Sequence, residues 1–164
     1  MINVFGGKLT TSRRLAESVL ERVEQVLGER QPAWTKQAKL PGGDFEPLAF
    51  EAETRRLHKD YSELPTALTT RLTRLYGTLA RDLLGDARQI GDLGEHFGAD
   101  LYACEVDYLV AHEWAHTATD ILWRRTKLGL RVQPEDVIKL EKYLTTKTAL
   151  DGSGGQYERL HSRD

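Results

Sequence analysis

Leu101-Tyr102-Ala103-Cys104-Glu105-Val106-Asp107-Tyr108-Leu109-Val110-Ala111-His112-Glu113-Trp114-Ala115-His116 places Tyr102, Val106, Leu109 and Val110 three, four or one residues apart. That spacing lines one face of an α-helix. The stretch contains neither glycine nor proline, so the reading is a helix over 101–116. A second helix is predicted over Thr117–Lys127, with Gly129 as its stop, and a third over Pro134–Leu150. Glu113 shares the apolar face of the first. A buried carboxylate without a partner is costly, so Glu113 is expected to be partly buried and paired with Arg124 or Arg125.

Upstream, Phe50–Asp60 and Thr66–Leu75 read as helices, the latter entered by Pro65, and Thr78–Leu84 as a short helix closed by Gly85. A glycine-punctuated loop, Asp86–Asp100, joins this group to the helix at 101. Ile2-Asn3-Val4-Phe5 reads as a short strand stopped by Gly6-Gly7. From Thr11 onward Leu15, Val19, Val23 and Val26 recur at helical spacing until Gly28. A lone strand leaves its edges unpaired, so it is expected to be frayed or paired with another chain. The expected fold is mainly α: a short strand and long helix over 1–28, a linker and loop over 29–49, a helical domain over 50–150, and a polar, glycine-rich tail over 151–164 expected to be disordered. No internal repeat and no heptad run is found.

Composition narrows the function classes. The 164 residues carry a net charge of -2, which removes the basic excess that a phosphate-tracking surface shows, so no nucleic-acid partner is expected. The lone cysteine, Cys104, has no disulfide partner within the chain and lies in an apolar helical stretch. A reduced, packing role and a cytoplasmic setting are expected. No apolar run approaches membrane-spanning length and Met1–Lys8 is not a signal peptide, which leaves peripheral membrane contact.

Three local patterns bear on chemistry. Lys8, Arg13 and Arg14 crowd a helix start, where the partial positive charge of the terminus disfavours cations, so an absent anion is one reading and simple extension into solvent the other. His112-Glu113-Trp114-Ala115-His116 has the spacing of a zinc hydrolase, two histidines at i and i+4 with a glutamate to activate water. The longer pattern fails, because Thr119 and Leu122 stand where its glycine and third histidine belong, so two ordinary helix-face histidines are expected and no metal site. Arg124-Arg125-Thr126-Lys127 could hold a phosphate but is expected instead to pair with neighbouring acids, and Trp114, Ile121, Leu122, Trp123 and Leu130 are expected to be core.

Gly6-Gly7-Lys8-Leu9-Thr10-Thr11-Ser12-Arg13-Arg14-Leu15-Ala16 resembles the signature near the end of the FAD domain in FAD-dependent glycerol-3-phosphate dehydrogenases, a Gly-Gly-Lys-x-Thr-Thr-Tyr-Arg-x-x-Ala pattern, with Ser12 in place of the tyrosine. A second block is similar to the family's carboxy-terminal domain: Asp92-Leu93-Gly94-Glu95-His96-Phe97-Gly98, Leu101-Tyr102, Glu105-Val106, Tyr108-Leu109, Glu113-Trp114 and Leu122 to Leu130. The resemblance covers Ile2–Leu27 and Leu75–Leu130 well and Arg30–Thr70 loosely. It implies a parent enzyme that oxidises sn-glycerol 3-phosphate to dihydroxyacetone phosphate, with FAD taking a hydride and electrons passing to membrane quinone. Lys8 is then the residue at the flavin, with Gly7 and Thr10 as further cofactor contacts. The resemblance also implies that this chain is a helical cap packed on upstream FAD and substrate domains and inactive by itself. The rival from another class is a free-standing helical interaction module, in which the Gly-Gly-Lys segment is only a turn.

Overall fold

A computed structural model of the chain describes residues 1–28 and 31–150, with side chains to residue 147. The tail expected over 151–164 lies outside these. The described residues form two compact units, divided between Asp44 and Phe45.

In the first unit, a 3-10 turn at Leu9–Thr11 leads into helix α1, Ser12–Leu27, which Gly28 ends at φ 82°. Leu15, Val19 and Val23 form its apolar face and are only half-buried. An apolar groove runs between Leu20, Val23 and Leu27 on the helix and Pro32 and Trp34 after it. Glu17 ties the two sides, accepting from Arg13 at 2.5 Å and from Thr35 at 3.1 Å. The strand expected at Ile2–Phe5 does not form: residues 1–8 carry neither helix nor strand, and all are exposed. A strand is a pairing rather than a local shape, and among the described residues no neighbouring strand satisfies these N–H and C=O groups.

The second unit holds a core. Helices α2 (Phe50–Asp60) and α3 (Thr66–Tyr76) form a hairpin, and a 3-10 turn at Gly77–Leu79 leads into α4 (Ala80–Leu84). Gly85 closes α4 at φ 51°, a left-handed conformation that suits glycine. A 3-10 turn at Ile90–Leu93 and a loop joined by an isolated antiparallel bridge, His96 to Tyr102, precede α5 (Ala103–Glu113). A π-helical segment, Asp120–Arg125, a 3-10 turn, Leu128–Leu130, and α6 (Pro134–Leu150) follow. Leu57, Leu72, Leu93, Phe97, Leu101, Leu109, Ile121 and Leu140 are buried where these elements meet. α6 is seated by Lys139, which donates to the His96 carbonyl at 2.6 Å, and by Tyr143 and Lys147, which both reach Asp107 of α5.

Two helical expectations shift. The helix read over 101–116 ends at Glu113, because Trp114 turns left-handed at φ 54° and both its N–H and that of Ala115 bond to the Leu109 carbonyl. The helix read over Thr117–Lys127 is tightened at its start by reciprocal bonds: Thr117 N–H and hydroxyl donate to the Asp120 carboxylate while Asp120 N–H donates to Thr117 Oγ1. It then widens, so that Thr126 N–H reaches five residues back to Ile121.

Candidate functional site

Of the residues expected at a cofactor, Gly7, Lys8 and Thr10 all lie in the first unit on exposed backbone. Lys8 is extended, at φ -71° and ψ 144°, and its carbonyl accepts from both the N–H and the hydroxyl of Thr11 at 3.0 Å. That closes the turn and leaves the Lys8 ammonium and the Thr10 hydroxyl without a partner among the described residues. A Cβ added at Gly6 would meet nothing within 4 Å, and one at Gly7 would touch only Thr11 Oγ1 at 3.6 Å and Leu15 Cδ2 at 3.8 Å. A flat group can therefore approach this backbone closely and meet a cation and amide donors. An ammonium and a hydroxyl beside two glycines are the donor types that one edge of a flavin would need. The pyrophosphate grip of a Gly-x-Gly-x-x-Gly turn after a strand is not among them. Arg13 is held by Glu17 in an i,i+4 pair, so the crowding of cations at this helix start is relieved within the helix.

The best-buried polar cluster is one that sequence reading missed. Glu105, 1% exposed, accepts both terminal nitrogens of Arg71, Nη1 to Oε1 at 2.8 Å and Nη2 to Oε2 at 2.7 Å, and also the Tyr76 hydroxyl at 2.7 Å. Arg71 Nε donates to the Asp100 carboxylate at 2.9 Å and Nη2 to the Asp100 carbonyl at 2.8 Å. Burial works against the Arg71 charge, but Glu105 and Asp100 outweigh it and hold the guanidinium more firmly protonated than usual. Burial, reinforced by the Glu105 charge, pushes the Tyr76 phenol up, so it stays a donor. Such an array binds α3, the 94–102 loop and α5 together. Cys104 beside it behaves as read: burial, with Glu105 adding, pushes its thiol up to about 12, which keeps it protonated and unreactive.

The family described as the C-terminal domain of alpha-glycerophosphate oxidase matches residues 33–142. The chain belongs to this family. It is 48% identical over 147 residues to a glycerol-3-phosphate dehydrogenase of Pseudomonas aeruginosa, a match that spans 90% of this chain and 28% of the relative. An aerobic glycerol-3-phosphate dehydrogenase of Escherichia coli is 41% identical over 148 residues, 90% of this chain and 29% of its own length. A D-erythritol 1-phosphate dehydrogenase of Brucella abortus is 43% identical over 127 residues, 77% of this chain and 25% of its own. The chain therefore spans little more than a quarter of the length of the curated relatives it matches. The span of this alpha-glycerophosphate oxidase C-terminal domain takes in the Arg71 cluster and leaves out Gly7, Lys8 and Thr10.

Within this C-terminal domain the remaining expected residues separate. His112 lies in the last turn of α5 with its ring tilted against Tyr108, ring centroids 4.8 Å apart, whereas His116 lies beyond the left-handed turn at Trp114. The two histidines share no helix face, so the geometry that the zinc-hydrolase spacing demands is not built. Glu113 is half-buried and paired as expected: its carboxylate lies 4.0 Å from Arg125 Nε, and Arg125 Nη2 donates to its carbonyl at 2.5 Å. Arg124 pairs with Asp120 at 2.6 Å. The expected core stripe is corrected in part. Ile121 and Leu122 are buried, but Trp114, Trp123 and Leu130 are 79%, 47% and 77% exposed: Trp114 sits in the left-handed turn, Trp123 in the widened helix and Leu130 at the end of the 3-10 turn that follows.

No helix among the described residues is long and apolar enough to cross a membrane.

Proposed function

We propose that the chain serves as the carboxy-terminal part of a flavin-dependent dehydrogenase of polyol phosphates, with sn-glycerol 3-phosphate as substrate, dihydroxyacetone phosphate as product and quinone as the final acceptor. What carries the reading is the family match together with relatives up to 48% identical that are glycerol-3-phosphate and erythritol-phosphate dehydrogenases. FAD, when bound, supplies the two-electron acceptor for the hydride leaving the substrate carbon. Lys8, whose ammonium has no partner among the described residues, would supply positive charge beside the flavin when that group is bound, a preorganised electrostatic role that needs no proton transfer. Gly7, where a Cβ would meet only Thr11 Oγ1 and Leu15 Cδ2, and the Thr10 hydroxyl would offer backbone and hydroxyl contacts to the same group. The Arg71 cluster ties α3, the 94–102 loop and α5 together within the helical domain.

The test is Lys8→Ala in the longer polypeptide, followed by stopped-flow flavin reduction with glycerol 3-phosphate. Reduction is expected to slow by about tenfold or more while flavin retention changes little, since the charge matters most in the transition state. Full reduction rates in that variant would remove Lys8 from the site. The 164-residue chain by itself is expected to retain no FAD and to show no turnover, because one cation and a few amides in open solvent hold a flavin weakly. Tight FAD binding by this chain would overturn that assignment.

A further inference from the structure

The turn that delivers Asp100 to Arg71 is built from unfavourable backbone. Gly94 and Gly98 take φ 79° and 84°, and Ala99, which carries a Cβ, takes φ 50°. A left-handed alanine is strained and persists only where its surroundings over-determine it. Within the turn, His96 Nε2 donates to the Ala99 carbonyl at 3.0 Å, and Arg71 donates to both the carboxylate and the carbonyl of Asp100. From outside, the turn is held by α6. Lys139 donates to the His96 carbonyl at 2.6 Å, lies 3.4 Å from Glu95 and stands over the Phe97 ring. Tyr143 meets Phe97 with ring centroids 5.0 Å apart, and Asp136 lies so close to Gly98 that a Cβ there would collide with its carboxylate.

The attachment of α6 differs in kind from that of α3. Of its described side chains Leu140 and Leu144 are buried, and Val137 and Tyr143 partly so, whereas the shorter α3 buries Leu68, Thr69, Leu72, Thr73 and Tyr76. The polar ties of α6 include Lys139 to Glu95, Lys147 to Asp107 at 2.5 Å and Tyr143 to Asp107 at 2.9 Å. Both lysine pairs lie at the surface, every member more than a third exposed, and pairs of that kind are weak and screened by salt. An element with few buried contacts opens at a lower free energy than the core it rests on. We propose that α6 is a salt-sensitive strap. Docked, it holds the 95–100 turn in its left-handed shape and keeps Asp100 on Arg71; it releases together with that turn while α3 and α5 stay folded. The device lies wholly within the second unit and does not depend on the flavin reading.

Amide hydrogen exchange, resolved by peptide mass spectrometry, tests this on the 164-residue chain and on two variants, K139Q/K147Q and Gly98→Ala. In the unaltered chain α6 and residues 95–101 are expected to share one level of protection, at least about tenfold below that of the slowest amides of α3 and α5. K139Q/K147Q removes both lysine charges from α6, and about 1 M salt shortens the screening length to about 3 Å. Each is expected to speed exchange of α6 and of the turn together by about threefold or more, with α3 and α5 unchanged. Gly98→Ala acts from the other side, in the turn, and is expected to speed exchange of α6 as well. A speed-up confined to the altered side, α6 alone or the turn alone, would overturn the coupling. Protection of α6 equal to that of α3, or a speed-up that α3 and α5 share, would overturn the strap, since α6 would then belong to the core. Exchange that ignores salt and K139Q/K147Q yet responds to Gly98→Ala would overturn the ionic trigger.

Discussion

Helices α1 and α3 are both amphipathic, yet α1 buries none of its residues while α3 buries Leu68, Thr69, Leu72, Thr73 and Tyr76. Their sequences differ little in kind. What differs is the company within each unit: α3 packs within a set of helices and turns that close over a shared core, whereas the described residues of the first unit set the segment around Trp34 beside α1. A helix of this length is marginal in water on its own, and tertiary packing of its apolar face provides most of its stability. The half carrying Lys8 thus draws order from little around it, and the half carrying the Arg71 cluster holds itself together.

The hardest blow to that contrast is Arg71→Met. It strands Glu105, 1% exposed, without its bidentate partner, and removing one member of a buried ion pair costs about 3–5 kcal/mol. Chemical denaturation followed by tyrosine fluorescence and circular dichroism is expected to show the loss. The double change Arg71→Met with Glu105→Leu is expected to recover much of it, because replacing both charges removes the stranded one; Tyr76 and Asp100 then lose partners, so recovery stays incomplete. If Arg71→Met leaves the midpoint in place, the second unit owes its cohesion to apolar packing alone.

Tyr76→Phe probes the same array more gently. It removes the hydroxyl that donates to Glu105 at 2.7 Å and keeps the ring that meets Tyr108 edge-on at 5.6 Å. A hydrogen bond to a charged group is worth about 1.5–3 kcal/mol, so a loss at the lower end is expected, because Arg71 still satisfies the carboxylate. Equal stability of the two proteins would show that Glu105 needs only Arg71.

Why this array escaped sequence reading is physical. Arg71 and Glu105 are 34 residues apart and each looks like a solvated helix-face charge; only the packing of α3 on α5 turns them inward. The helices at 66–76, 80–84 and 134–150 are legible because Pro65, Gly85 and Pro134 punctuate an apolar period. The end of α5 was not, since a left-handed terminus is ordinarily marked by glycine and here is occupied by Trp114. Of the candidate site, the Glu113 pairing with Arg125 could be read from helical angle plus the cost of a buried charge. The Thr117-x-x-Asp120 signature was present in the sequence as a start signal that would have delayed the second helix and hinted at the break before it.

That signature gives a smaller effect with a definite pH sign. Burial opposes ionisation of Asp120, but bonds from the Thr117 hydroxyl, the His116 N–H, Arg124 and the Thr117 N–H together hold its carboxyl down at about 2. The unfolded value is about 3.9, so the folded state gains stability from the ionised group, in full above pH 4, and loses it as pH falls from about 4 to about 2. Asp120→Ala is expected to cost about 1 kcal/mol at pH 7, the usual worth of a capping side chain. The variant's stability is also expected to fall less steeply than that of the unaltered protein below pH 4. Parallel pH profiles for the two would mean that Asp120 contributes nothing to folding.

The smallest effect tests the other half of the contrast. Val23 belongs to the apolar face of α1 and is half-buried, lining the groove opposite Pro32 and Trp34. In a packed core the loss of its methyl groups would leave a cavity and cost well over 1 kcal/mol. On a face that solvent still reaches, little apolar area is returned to water, and alanine has the better helix propensity, so the two terms oppose each other. Val23→Ala in the 164-residue chain is therefore expected to shift stability by no more than about 0.5 kcal/mol in either direction, as a surface change does. Amide hydrogen exchange over α1 should be fast before and after the change, and exchange over α3 and α5 slow in both. A large loss, or strong protection of α1 that Val23→Ala abolishes, would show that the first unit has a core of its own, and the contrast between the two halves would fall.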